Sequence, residues 1–330
     1  MRIALDAMGS DVCPQPDVAG GVLAARELGH TILLVGNQEQ IEAELANHRT
    51  TGLRIEVVHA EQQVLMSDTP GQVGKEKPRS SMRIGLDLVS TGSAEAFVTA
   101  GNTGAAMAIA TLYTLRRIPG VRRPALSGIY PIRQQRIIAL DLGANADSRS
   151  DWLVQFAIMG SIYARRVLGV VKPRVALLSN GEEESKGNAA IKEASSILRK
   201  STLHFIGNVE PKEIVQGKTD VVVSDGFVGN IFLKTFEASA AYLTETIRDE
   251  ITSDAISTLG GLLLRPAFRR VRRRTDTSEI GGAPLLGVNG VVIIGHGRSN
   301  ALAIRNAIQQ AVLAVEGRVV ELIHEEFSDL

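Results

Sequence analysis

Four glycine-rich segments each follow a short apolar run and lead into a helical pattern: Asp6–Asp11 (DAMGSD), Thr99–Gly104 (TAGNTG), Leu178–Gly187 (LSNGEEESKG) and Ser224–Asn230 (SDGFVGN). In an open α/β sheet, ligands bind at such strand-to-helix turns. Gly101 and Gly104 let a ligand approach the backbone, and Asn102 and Thr103 offer side-chain hydrogen bonds. A helix starting there aims free N–H groups outward, which suits phosphate; the plainer reading is a tight turn with an Asn or Thr cap. Asp225, Asn230 and Lys234 form a second set. Asn230 and Lys234 are four apart and share a face once a helix has begun, and the lysine can meet phosphate as a point charge. The plainer reading there is an Asp cap and a solvated lysine. Asp6 can orient a polar partner or cap a turn. His296, between Gly295 and Gly297, is sterically open as an acid, base or anion donor near neutral pH.

Other chemistries lack their signatures. There is no GxGxxG or GxxxxGK[ST] loop, no HExxH and no GxSxG elbow. Cys13 is the single cysteine, so no intrachain disulfide and no multi-cysteine metal site can form. The expectation is a site with no metal and no cofactor. Lys plus Arg and Asp plus Glu are both 36, giving zero net charge, which argues against a nucleic-acid coat. An apolar fraction of 44% over 330 residues excludes global disorder and supplies a real core. No apolar run reaches the ~18 residues needed to span a bilayer.

One segment breaks the charge balance. Leu259–Arg274 (LGGLLLRPAFRRVRRR) carries six arginines and no acid. On a helical wheel Leu264, Ala267, Phe268 and Val271 share a face, and Arg269, Arg270, Arg272, Arg273 and Arg274 surround the other side; Arg265 precedes them. That pattern suits an anionic membrane surface or an acidic protein partner, or else a helix packed on its own domain with a solvated basic face.

The elements that must hold these residues alternate. Strand patterns cover Arg2–Leu5, Thr31–Val35, Leu53–Val58, Ala94–Thr99, Val175–Leu178, Leu203–Ile206, Asp220–Ser224 and Val291–Ile294, with Ala125–Tyr130 and Arg136–Leu140 as a neighbouring pair. Helical patterns cover Asp17–Leu28, Gln38–Ala46, the stretch from Thr103, Asp151–Leu168, Ser185–Arg199, Gly229–Asp249 and Ala301–Glu316. The alternation predicts a layered α/β fold with a mostly parallel sheet. No repeat or linker divides the chain, so residues 1–330 read as a single domain that includes the basic segment.

These motifs in this order resemble a known family across nearly the entire chain. The landmarks are IALDAMGSD (3–11), AGNTGAAMAIA (100–110), LDLGAN (140–145), NGEEESKGN (180–188), GNVE (207–210), SDGFVGNIFLKTFE (224–237) and GGAPLLGVNGVVIIGHGRS (281–299). They are similar to bacterial phosphate acyltransferases that use acyl–acyl carrier protein, the fatty acid/phospholipid synthesis proteins. Ser10 stands where that family commonly has glycine. The resemblance implies a three-layer α/β/α sandwich like that of phosphate transacylases and isocitrate or isopropylmalate dehydrogenases. It implies a homodimer that reversibly transfers a long-chain acyl group from acyl carrier protein to inorganic phosphate, making acyl phosphate for phospholipid synthesis. It also implies a cytoplasmic protein in transient contact with the cytoplasmic membrane face, near a membrane glycerol-3-phosphate acyltransferase, and no nucleic-acid partner.

On that resemblance phosphate attacks the thioester carbonyl directly. Gly101–Gly104, Asp225 and Asn230 hold phosphate, while Lys234 and His296 neutralise charge and Asp6 or Asp225 orients them. Leu264, Arg265, Phe268, Arg269, Arg270, Arg272, Arg273 and Arg274 meet carrier or membrane. Leu262–Leu264 and Ala283–Gly287 are the expected walls of an acyl groove, or alternatively core or dimer contacts. Two other functions stay open: a small-acyl transacylase using coenzyme A, and a non-catalytic membrane or carrier adaptor.

Overall fold

The computed structural model describes residues 1–275 and 281–328, with side chains to residue 271 and from 281. The strands are β1 (Arg2–Asp6), β2 (Thr31–Gly36), β3 (Ile55–His59), β4 (Ala96–Thr99), β5 (Ala125–Ile132), β6 (Gln135–Leu140), β7 (Val175–Leu178), β8 (Phe205–Val209), β9 (Val221–Val223), β10 (Ala283–Leu286) and β11 (Val291–Ile294). The helices are α1 (Gln15–Leu28), α2 (Gln38–Leu45), α3 (Pro70–Glu76), α4 (Ser81–Ser90), α5 (Thr103–Ala108), α6 (Ser150–Arg166), α7 (Ala189–Leu198), α8 (Pro211–Val215), α9 (Gly226–Thr252), α10 (Ala255–Thr275), α11 (Ala301–Glu316) and α12 (Val319–Ser328). A π-helical turn, Ile109–Tyr113, extends α5.

The strands form one sheet in the order β3-β2-β1-β4-β11-β10-β5-β6-β9-β7-β8. The run from β3 to β11 is parallel, and so is the run from β6 to β8. Between them β10 pairs antiparallel on both sides, and β5 pairs antiparallel with β6. Three reversals therefore separate the two parallel halves, and their strands run in opposite senses. Twist of ~20–25° per strand step accumulates to ~100–125° over the five steps from β4 to β9, so the two sets of carboxyl ends are oblique to one another rather than opposed.

The strands are apolar because both faces are covered. Ile32, Leu33, Leu34 and Val35 are all buried, as are Val221, Val222 and Val223. On one face α1 and α11 cross closely at Gly20, where an added Cβ would lie 2.5 Å from the Ile304 Cβ. Side-chain caps start α2, α4, α5, α7, α9 and α11. The sequence pattern starts α7 at Ser185, but the helix begins at Ala189, because the Asn188 side chain accepts from Ile191 N–H. β10 sits at the sheet centre with Leu285 and Leu286 buried, so the stretch expected to wall an acyl groove is core instead.

The long helix α9 departs from this packing. Of its 27 residues only Gly226 and Gly229 are buried. It projects with α10 as an arm, exposing Tyr242, Leu243 and Ile247 on α9 and Ile256, Leu262 and Leu263 on α10. Pro266 lies inside α10 rather than at its start. Among the described residues no helix is long and apolar enough to cross a membrane.

Close helix contact at Gly20 predicts that Gly20→Ala lowers stability by about 1–3 kcal/mol through overpacking, which outweighs the helix propensity it gains. Gly71→Ala, with nothing within 4 Å of the new Cβ, should be neutral or slightly stabilising. Urea unfolding midpoints of the two variants check this; equal midpoints would contradict it.

Candidate active site

Three loops meet at the carboxyl ends of β1, β4 and β11. Asp6, the last residue of β1, is 1% exposed. Its Oδ1 accepts from Met8 N–H at 3.1 Å, and its Oδ2 accepts from the Thr99 hydroxyl at 2.8 Å. The same Thr99 oxygen accepts from Gly101 N–H at 2.9 Å. Asp6, Thr99 and the glycine turn thus form one hydrogen-bonded chain. Gly9 packs so tightly there that an added Cβ would lie 2.9 Å from both Gly101 N and the Thr99 hydroxyl. The β11 loop closes the group: Gly295 N–H donates to Thr99 O, and Asp11 N–H donates to Gly297 O. His296 and Arg298 are exposed on this loop.

This geometry bears on two of the candidate residues. Asp6 is buried with both oxygens hydrogen-bonded inside the loops, where it positions the turn. The Asn102 side chain is also spent. Its Oδ1 caps α5 through Ala105 N–H at 3.0 Å, and its Nδ2 holds the carbonyls of Met66 at 3.1 Å and Asp68 at 3.2 Å. What remains for a ligand is the half-buried Thr103 and Gly104 with the turn backbone beside them.

Behind the first loop lies a buried carboxyl that sequence reasoning passed over. Asp17, on α1, is fully buried; its Oδ2 accepts from the Ser10 hydroxyl, and its Oδ1 has no hydrogen-bond partner. Burial pushes its pKa up to about 8, opposed by the Ser10 hydrogen bond and reinforced by the charge of Asp6. Burial also raises the Asp6 carboxyl, against its hydrogen bonds. A sequence signal for Asp17 existed only in its position one turn after Pro14, since buried and exposed N-terminal acids look alike in a sequence.

A second group is built around β6 and the start of α9. Asp141, fully buried after β6, accepts from the N–H groups of Leu126, Gly143, Ala144 and Asn145 and from the Asn145 amide. Burial raises its pKa and these bonds oppose the rise. Asn145 O then accepts from Gly226 N–H at 2.8 Å, fixing the first residue of α9. Only glycine fits at 229, where a Cβ would lie 2.0 Å from Asp141 O. Asp225 is the cap of α9, its Oδ1 accepting from Val228 N–H at 2.7 Å. Asn230 is half-buried with its amide toward Gly143, and Lys234 is exposed one turn further on. Among the described residues no hydrogen bond or ion pair joins this group to the β1, β4 and β11 loops.

Between α7, α8 and α9 runs an open groove of about 980 Å³. Ser179, Asn180 and Asp225 stand along its polar part, and Ile191, Ile231 and Phe232 along its apolar part. On α10, Leu264, Arg265, Phe268, Arg269 and Arg270 are all exposed. The side chains of Arg272, Arg273 and Arg274 lie outside the described residues. Among the described residues no group of three His, Cys, Asp or Glu side chains is arranged to hold a metal.

The fold is that of the phosphotransacylases. A phosphotransacetylase from Streptococcus pyogenes superposes with a TM-score of 0.61 at 17% identity, covering 97% of this chain and 94% of that one. A 4-hydroxythreonine-4-phosphate dehydrogenase from Klebsiella pneumoniae shares it at 0.54 and 14% identity, over 96% of this chain and 99% of that one. At the sequence level, a phosphate acyltransferase from Geobacter sulfurreducens is 46% identical over 332 residues, covering 99% of this chain and 96% of the relative. The chain belongs to the fatty acid synthesis protein family, whose model matches residues 1–322, and it is an acyltransferase.

The raised Asp17 pKa fixes the sign of a pH effect. The folded state binds this proton more tightly than the unfolded chain, so the contribution to stability is complete below the ordinary aspartate value of 3.8 and is lost as pH rises toward about 8. Wild-type stability should therefore fall between pH 5 and 8 relative to Asp17→Asn, whose amide keeps an acceptor for Ser10. Denaturant midpoints against pH test this, and parallel profiles for the two proteins would contradict it.

Proposed function

We propose that this enzyme transfers a long-chain fatty acyl group from acyl carrier protein to inorganic phosphate, reversibly, giving acyl phosphate for phospholipid synthesis. The observation that carries the reading is the turn at Gly101–Gly104. Its backbone is held in place by a buried Asp6–Thr99 pair and lies beside the β11 loop, which exposes His296 and Arg298. The family membership and the acyl-transfer names of its relatives support the same chemistry.

Phosphate is already a nucleophile, so the site has to position it and offset its charge. The turn at Gly101–Gly104, with Thr103, holds it, and Arg298 supplies positive charge beside the His296 imidazole. A phosphate oxygen forms the new bond to the thioester carbonyl carbon; the carbon–sulfur bond breaks, and the carrier leaves as a thiolate that takes up a proton. Hydrogen-bond donors preorganised around the developing oxyanion lower the barrier. Asn230 and Lys234, behind the Asp225 cap, neutralise the donor as it enters past α9. The 980 Å³ groove along α9 takes the acyl chain, with its polar part toward the strand ends. No cofactor, metal ion or nucleic acid takes part in this scheme.

The arm supports the remaining proposals. Its exposed α9 residues, Tyr242, Leu243 and Ile247, form a surface suited to a second copy of the chain, making a homodimer. The apolar and arginine-rich α10 suits the anionic cytoplasmic membrane face. Contact there hands acyl phosphate to a membrane glycerol-3-phosphate acyltransferase while the enzyme otherwise stays in the cytoplasm.

Mass spectrometry of long-chain acyl–acyl carrier protein with and without phosphate tests the reaction, with released carrier thiol measured in parallel. Acyl phosphate should form in step with thiol and only when phosphate is present. His296→Ala should cut kcat/KM for phosphate by ~10²-fold or more. Lys234→Ala should act chiefly on the KM for the acyl donor. Turnover with acyl-coenzyme A but not the carrier substrate would favour the small-acyl transacylase, and binding of carrier without thiol release would favour the adaptor.

A further inference from the structure

The stretch from Ala96 to Leu140 contains six arginines and no Asp, Glu or Lys. Four of them, Arg116, Arg117, Arg122 and Arg123, lie on one loop between the π-helical turn and β5, and all four are exposed. Among the described residues none has a carboxylate within ion-pair distance, and Glu325 of α12 pairs with Arg318. An unpaired four-charge loop on a protein of zero net charge is a concentrated positive field.

The loop is built to hold these charges in place. Ile118 N–H donates to Gly287 O and Asn289 N–H to Arg116 O, each at 3.0 Å. Gln155 bridges the loop, accepting from Arg122 N–H at 2.8 Å and donating to Gly120 O at 3.0 Å. The Arg117 guanidinium donates to Arg122 O, and the Arg123 guanidinium lies 5.0 Å from the centre of the Trp152 ring. Binding here orders little that is not already ordered.

Its position ties it to the start of α9. The loop ends at Pro124, whose carbonyl accepts from the Asn145 amide at 2.8 Å. Asn145 O in turn accepts from Gly226 N–H. Its composition separates it from α10. Ile118 and Val121 are buried and Pro119 is the loop's one exposed apolar side chain, whereas α10 offers Ile256, Leu262, Leu263 and Leu264 to lipid.

We infer that the Arg116–Arg123 loop is the docking surface for an acidic carrier protein that delivers the acyl group, leaving α10 to the membrane. This rests on the carrier-borne donor proposed above. The surface recognises the carrier's carboxylates, while the thioester passes α9.

The test compares R117E/R122E and the neutral R117Q/R122Q with wild type, using two donors: acyl–acyl carrier protein and the same acyl group on a carrier-free pantetheine thioester. At low salt the charge reversal should raise KM for the carrier donor by ~10–100-fold, with kcat within about twofold, and the neutral variant should show a smaller rise. The difference should shrink as salt approaches 0.5 M. KM for the carrier-free thioester and binding to anionic vesicles should not change. An equal rise for both donors, an unchanged carrier KM, or loss of vesicle binding overturns the inference. Calorimetric titration of the carrier protein into wild type and R117E/R122E reads the surface independently of turnover. A wild type that binds carrier through the loop yet makes no acyl phosphate therefore sinks the proposed reaction and not the docking surface.

Discussion

A buried carboxylate cannot be left without partners, and Asp6 obtains them in a way that organises the candidate site. At the end of β1 it accepts from Met8 N–H and from the Thr99 hydroxyl, 93 residues away in sequence but on the adjacent strand of the sheet. Thr99 has a single proton, and once that is given to Asp6 its oxygen is free to accept from Gly101 N–H. The glycine turn is thereby fixed before any ligand arrives. Loss of the hydroxyl leaves a buried carboxylate oxygen and a buried N–H without partners, at a cost of about 1–3 kcal/mol each. The β11 loop then docks onto the same turn through Thr99 O and brings His296 and Arg298 to its edge.

The other half of the sheet repeats this logic with different residues. Asp141 gathers the N–H groups of its own loop, and that loop fixes the first turn of α9. The helix that starts from this anchor leaves the body of the protein and exposes most of its length. In both halves a buried acid at a strand end does not touch the ligand surface but determines where the surface is. Reversal at β10 and β5 turns the strands of one half against those of the other, and sheet twist sets the two halves oblique, which is how one sheet can present two organised rims instead of one.

Much of this was legible in the sequence, and the gaps have physical causes. Parallel strands buried on both faces read as continuous apolar runs, so β1, β2, β7 and β11 were plain. The APLL stretch of β10 is just as apolar, but it is short and flanked by glycines, and a proline at its second position hides a central strand. The glycine turns were recognisable because few residue types permit such close approach. Which side chains were free was not recognisable: Asn102 and Asp225 have the composition of ligands and the geometry of caps. The burial of Asp17 and the bond from Thr99 to Asp6 were not legible locally, since burial and cross-strand hydrogen bonds depend on register. The basic α10 stood out as a charge run, whereas the Arg116–Arg123 loop was masked by its buried Ile118 and Val121 and showed its character only once folded.

The central claim is that the Asp6–Thr99 pair holds a phosphate-binding turn. Calorimetric titration of inorganic phosphate into wild type, Thr99→Val and Thr99→Ser tests it most directly. Thr99→Ser keeps the hydroxyl and should bind phosphate close to wild type, while Thr99→Val should weaken binding by ~10-fold or more. Unchanged phosphate affinity in a folded Thr99→Val protein would contradict the account.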